Sequence, residues 1–217
     1  GDNMESLEGG CVIVANGRFP SAELPLRLLK EAKTIIACDG AVKNFMKGIH
    51  PDAIVGDLDS IPAGLRERYA DRIHHVEDQE INDLTKSVRF AHTQGYREVL
   101  ILGATGLRED HTLGNISLLM DYAHLFKRVE MLSDYGLFTP ILETTTFASY
   151  PGQQISIFVL YPEGEISTEG LRWPIRRRKL TSWWQGTLNE ALGDQFTVTL
   201  SPDCRVIIYR EASHTKE

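Results

Sequence analysis

From residue 11 to about 134 the chain alternates short apolar runs with amphipathic stretches, and this alternation restricts its fold more than any other feature. The runs are "CVIVA" (11–15), "TIIAC" (34–38), "AIVGD" (53–57), "RIHHV" (72–76), "VLILG" (99–103) and "VEMLS" (129–133). They are rich in Val, Ile and Leu and only a few residues long, as strands buried on both faces should be. Between them, "NDLTKSVRFAHTQG" opens on the cap candidate Asn82, carries Leu84, Val88 and Ala91 on one face, and ends at Gly95. "DHTLGNISLLMDYAHLF" places Leu113, Ile116, Met120 and Ala123 on one face. Such alternation predicts a mainly parallel sheet covered by helices, with right-handed crossovers.

Beyond about residue 138 the pattern changes. "ETTTFASY", "QQISIFVLYP", "EISTEG", "DQFTVTL" and "CRVIIYRE" are β-branched, roughly alternating, and separated by Gly and Pro. No helix pattern stands out after residue 140, so this part reads as a small antiparallel sandwich or barrel, taken as a C-terminal antiparallel β-sandwich. The fold class is therefore α/β plus β. The domains are expected at 1–138 and 139–217, with the boundary inside "SDYGLFTP" (133–140).

The chain has 217 residues, a formal charge of −7 and no apolar run near the length of a membrane helix. An acidic whole argues against a nucleic-acid binder, and an anionic substrate would need a metal or a local basic cluster. The basic run "RRRK" (176–179) then reads as solvated or dimer-facing. Cys11, Cys38 and Cys204 are far apart and odd in number, as in reduced intracellular proteins. The opening "GDNMESLEGG" shows neither the basic nor the apolar region of a signal peptide. A cytoplasmic protein is expected, with no membrane and no nucleic-acid partner.

Ligands of open α/β sheets collect outside the carboxyl ends of the strands. Polar segments follow most of the predicted strands: "NG" (Asn16, Gly17), "CDGA" with Asp39, "GDLDS" with Asp57 and Asp59, "EDQEINDLTK", and "GATGLREDHTLGN". Parallel strands bring Asp39, Asp57, Asp59, Asp83 and Asp110 to one edge, together with Lys86 and Arg108. Asp57 and Asp59 at ~5 Å would repel by roughly 3 kcal/mol at an effective dielectric of about 20. Clustered oxygen ligands without Cys or paired His suit a hard cation such as Mg²⁺. His74 and His75 are neighbours on a strand and point to opposite faces, so they cannot chelate one ion. The glycine-rich "GATGLRED", between a strand and a helix, can cradle phosphate with Arg108 beside it. It fits neither GxGxxG nor the P-loop pattern. Together these features suggest a nucleotide phosphate site.

"CDGA", "GDLDS", "DQEINDLTK", "GATGLREDHTLGN", then "EGLRWPI" and "GTLNE", in this order, resemble the thiamine pyrophosphokinase (thiamine diphosphokinase) family. The resemblance implies an α/β ATP-binding domain, a C-terminal β-sandwich that binds thiamine, and a homodimer with active sites between subunits. It also implies pyrophosphoryl transfer from ATP to the hydroxyl of thiamine, giving thiamine diphosphate and AMP, with Mg²⁺. Carried over by position, Asp57, Asp59 and Asp83 hold the metal, and Asp39 and Asp110 line the same pocket. Gln79, Thr85, Lys86 and Arg108 contact the triphosphate, with Asn115 on the following helix. Trp173 stacks on the aminopyrimidine ring and Asn189 helps fix it. Leu188 stands where the family often has Ser, with Thr187 as the substitute hydroxyl. Ala104 and Leu107 stand at common glycine positions of the phosphate loop. Two rival readings share the aspartates: a haloacid-dehalogenase-like phosphatase, whose first Asp is a nucleophile, and a non-catalytic nucleotide-binding sensor. Trp183 and Trp184 are adjacent, so on a strand one faces in and one out, and the outward one is a candidate for the dimer interface.

Overall fold

The computed structural model describes residues 10–161 and 163–212; the leader reading of residues 1–9 lies outside them. The chain divides into two compact units that meet in sequence at Asp134 and Tyr135.

In the first unit, the predicted apolar runs form β1 (Cys11–Val14), β2 (Thr34–Cys38), β3 (Ala53–Gly56), β4 (Ile73–His75), β5 (Glu98–Leu102) and β6 (Arg128–Leu132). They lie in the order β6-β5-β1-β2-β3-β4, every pairing parallel. β1, β3 and β5 are buried along their whole length, which is why their sequences are apolar without alternation. The helices are α1 (Glu23–Glu31), α2 (Ala63–Arg68), α3 (Asp83–Thr93) and α4 (Glu109–Tyr122).

The α3 expectation holds in detail. Asn82 caps it by accepting the Thr85 N–H at 2.9 Å, and Leu84, Val88 and Ala91 are buried. α4 agrees with expectation only in part: Met120 is buried, but Leu113 is 54% exposed and the rest of the buried stripe is Asn115, Leu119 and Tyr122. Asn115 anchors this face. Its amide donates to the Ala104 carbonyl at 2.9 Å and its Oδ1 accepts from Asn82 at 3.0 Å. Of the two histidines on β4, His74 packs against the Phe90 ring and His75 pairs with Glu77, so they share no ligand geometry.

The second unit carries β7 (Gly136–Ile141), β8 (Thr145–Ala148), β9 (Gln154–Tyr161), β10 (Ile166–Glu169), β11 (Asn189–Glu190), β12 (Gln195–Leu200) and β13 (Arg205–Glu211). β11-β9-β13-β7 and β10-β12-β8 form antiparallel layers. Ile157, Val206 and Ile208 of one layer pack with Phe147, Phe196 and Val198 of the other, so the unit is a β-sandwich. β7 arises where the sequence suggested a linker: its Gly136 and Pro140 look like turn residues, yet the strand pairs with β13 throughout. Trp183 and Trp184 lie on a 3-10 turn, Trp183–Gly186, rather than on a strand. Trp183 packs edge-on to Phe158, and Trp184 is 75% exposed.

Candidate active site

β1 to β4 progress in one direction across the sheet, and β5 returns to the other side of β1. An open parallel sheet has its ligand crevice at such a reversal, beyond the carboxyl ends of the strands. A cleft of about 610 Å³ lies there, lined by Asn16 and Gly17 after β1, Asp83 at the start of α3, and Thr105, Arg108, Asp110 and Asn115 after β5. Backbone hydrogen bonds join the loops that follow β1 and β5. The Gly17 N–H donates to Gly103 O at 2.6 Å and the Arg18 N–H to Thr105 O at 2.9 Å. A Cβ on Gly17 would fall 2.5 Å from the Gly103 carbonyl oxygen, so only glycine allows the two loops to join this closely.

Asp39 follows β2 and Asp57 follows β3. Asp39 is buried and accepts the N–H groups of Gly40 at 2.8 Å and Leu58 at 3.1 Å. Gly56 makes room for it, since a Cβ there would lie 2.5 Å from Asp39 Cγ. Burial, then a hydrogen bond with Asp57, then the charge of Asp83 push the Asp39 carboxyl up to about 6. Asp57 is held below the usual carboxylate range by the Asp59 amide and by the proton of Asp39. The crowded pair is thus Asp39 and Asp57. Asp59 relieves Asp57 by donating its backbone N–H at 3.2 Å, while its own side chain faces solvent. Leu58 between them adopts φ +76°, and Ile61 anchors the far end of the loop in a core cluster with Ile54 and Tyr69.

Asp83 accepts from the Asn16 amide at 3.0 Å and lies 3.9 Å from the Lys86 ammonium, which is buried one turn along α3. A buried ammonium requires a carboxylate partner, and Asp83 supplies it. Arg108 forms a two-pronged pair with Asp110, at 2.6 and 3.2 Å, on the exposed rim. That pair holds the Asp110 carboxyl below its ordinary range. Thr85 and Gln79 have partners within the protein. The Thr85 hydroxyl bonds Tyr122 at 2.6 Å, and exposed Gln79 donates to the Glu77 carbonyl. Among the described residues, no three His, Cys, Asp or Glu side chains form a ready metal cage.

In the sandwich, Trp173 is half exposed, and the Asn189 amide is spent on its backbone. The Thr187 hydroxyl donates to the Trp184 carbonyl at 2.8 Å. Leu188 is exposed and holds φ +61°. Sequence reasoning gave no role to Asn16 or Gly56. The Asn-Gly pair after a predicted strand was the available signal for the first, and the glycine opening "GDLDS" for the second.

A parallel sheet with a crevice at its reversal point lined by Asp83 and Asp110, followed in the chain by a sandwich displaying a tryptophan, is the arrangement of an α/β protein of the nucleotide-site class with an appended β module. Residues 26–131 match the thiamin pyrophosphokinase catalytic domain and residues 136–209 the thiamin pyrophosphokinase substrate-binding domain. The chain belongs to the thiamin pyrophosphokinase family. Thiamine pyrophosphokinase 1 of Oryza sativa subsp. japonica is 28% identical over 229 residues, covering 90% of this chain and 84% of the relative. Thiamine pyrophosphokinase 2 of the same plant is 30% identical, over 78% and 74% of the two chains. The crystal structure of thiamine pyrophosphokinase from Bacillus subtilis has the same fold, with a TM-score of 0.79, 21% identity, and 94% and 99% of the chains covered.

Proposed function

We propose that this chain transfers the pyrophosphoryl group of ATP to the primary hydroxyl of thiamine, giving thiamine diphosphate and AMP. The observation that carries the reading is the match of both family domains, in order, along one chain. The geometry of the crevice supports it. In this reading the α/β unit binds ATP and the sandwich unit binds thiamine.

The donor set fits Mg²⁺. Asp39, Asp57 and Asp83 interact electrostatically, and Lys86 is the cation acting on Asp57 and Asp83. Mg²⁺ keeps several waters and takes one or two carboxylates plus substrate phosphates, so a ready protein cage is not needed. Asp57, Asp59 and Asp83 would hold it, and when bound it supplies charge neutralisation on the phosphate oxygens. Arg108 exchanges Asp110 for a phosphate oxygen, and Lys86 takes up further negative charge. The alcohol oxygen bonds to the β-phosphorus as the bond to the AMP oxygen breaks, in line. Such transition states are loose, so positioning and charge carry most of the catalysis. The hydroxyl proton passes to Asp39 or Asp110: Asp110 lines the cleft and is kept ionised by Arg108, and Asp39 is buried with its carboxyl raised to about 6. Asn115 and Asn82 position the phosphate loop against the α3 terminus and need not touch ATP. The working form is a cytoplasmic homodimer with active sites between subunits, and exposed Trp184 is a contact candidate.

The test is product identification after incubation with ATP, Mg²⁺ and thiamine. AMP and thiamine diphosphate are expected. ADP with thiamine monophosphate would refute the pyrophosphoryl step, and nucleotide binding without turnover would make the protein a sensor.

A further inference from the structure

Trp173 presents a half-exposed indole, 52% open to solvent, and its backbone is held by a single side chain. Asn189 Oδ1 accepts the Trp173 N–H at 3.1 Å, and its Nδ2 donates to the Trp173 carbonyl at 2.8 Å. With Asn189 buried at 7% exposure, its carboxamide acts as a neighbouring strand would and fixes the Trp173 backbone. The ring itself has a separate support. The Arg172 guanidinium lies 4.7 Å from the indole centroid. Arg172 is anchored twice to Glu190, through Nη1 to the carboxylate at 3.1 Å and through its backbone N–H to the Glu190 carbonyl at 2.8 Å. An exposed arginine ordinarily samples many rotamers, and this anchor removes much of that freedom. A cation over one face of tryptophan is attracted by the ring quadrupole and occupies that face.

We infer that Arg172, anchored by Glu190, is a positioning residue that closes one face of the Trp173 indole and leaves the other as the single stacking platform for the planar heterocycle of the substrate. The inference rests on the reading of Trp173 as the aminopyrimidine platform. It adds an orientation rule. Thiamine carries a permanently cationic thiazolium, and the Arg172 charge repels it from the closed face. The substrate therefore docks on the open face with its cation turned away from Arg172.

Steady-state kinetics with ATP saturating and thiamine varied test this. Arg172→Ala is expected to raise KM for thiamine about two- to fivefold, with kcat and KM for ATP unmoved. Arg172→Lys keeps a cation for the ring but loses the Nη1 bond to Glu190, and falls between the two. Glu190→Gln preserves size and moves KM for thiamine in the same direction by less. An unchanged thiamine KM in Arg172→Ala, or a loss shared equally by kcat and both substrates, overturns the inference while leaving the proposed function in place. Absence of thiamine diphosphate from the unaltered protein overturns the proposed function and the inference with it.

Discussion

Asp39 is a carboxyl group, 1% exposed, facing two other carboxylates, and its protonation is coupled to folding. Its carboxyl is raised from 3.8 to about 6, so between those pH values the native state holds a proton that the unfolded chain has released. Stability therefore falls as pH rises through that window. Asp39→Asn removes the penalty, worth about 2–3 kcal/mol in full, but loses one of the two accepted N–H bonds, costing about 1 kcal/mol. The variant is expected to be less stable than the unaltered protein at pH 4 and more stable at pH 7.5 by about 1–2 kcal/mol. Urea denaturation at the two pH values measures this, and equal differences at both would contradict the assignment. Leu188 offers a second test. It is exposed and left-handed, with φ +61°, a conformation that costs a leucine about 1 kcal/mol. Leu188→Asn should raise stability by about 0.5–1 kcal/mol, visible as a higher thermal midpoint, since asparagine tolerates this region and no core packing is lost.

Helix α1 shows how an element can depend on a residue far away in sequence. Its first turn has no side-chain cap of its own. Instead, the Asp134 carboxylate accepts the N–H groups of Ser21 and Ala22, each at 3.0 Å, and the Ser21 hydroxyl at 2.7 Å. Partial burial pushes the Asp134 carboxyl upward, but the Ala22 and Ser21 bonds outweigh it and leave it below its ordinary value. The stabilisation is thus present above an unfolded value of about 3.9 and is lost as pH falls through the lower folded one. Asp134→Ala should cost about 1–2 kcal/mol in chemical denaturation at neutral pH, and Ser21→Ala less. A neutral Asp134→Ala would show that α1 needs no cap. No local pattern announces this contact, because the two ends lie 113 residues apart. β1 to β6 and α3 were legible because burial and capping act over a few residues. The face of α4 was legible only at Met120, since a polar anchor at Asn115 is part of its buried stripe. β7 was hidden by turn-forming residues, and the Trp183 turn by an assumption of strand continuity.

At the scale of the chain, the sequence resemblance gave the order of family segments and therefore both units, but not the pairings that make the site work. Asn16 with Asp83, Asp39 with Asp57, and Gly17 with Gly103 each join segments far apart in sequence, and the convergence follows from the sheet order. Thr85 and Gln79, carried over by position, bond to Tyr122 and Glu77 within the chain. These pairings also separate folding from metal binding. Each unit has its own apolar core, Lys86 already neutralises Asp83, and Asp110 already occupies Arg108. Removing divalent metal should therefore leave the thermal midpoint of the nucleotide-free protein unchanged. ATP with Mg²⁺ should raise it, because a ligand at about 100 times its Kd adds about 2.7 kcal/mol, or roughly 5–11 °C for a chain of this size. ATP with a chelator should raise it far less, since Asp57, Asp59 and Asp83 then repel the triphosphate. Thermal denaturation under these conditions decides the matter: a midpoint that drops on chelation without nucleotide makes the metal structural. Equal shifts with and without Mg²⁺ would remove the carboxylates from ATP binding altogether.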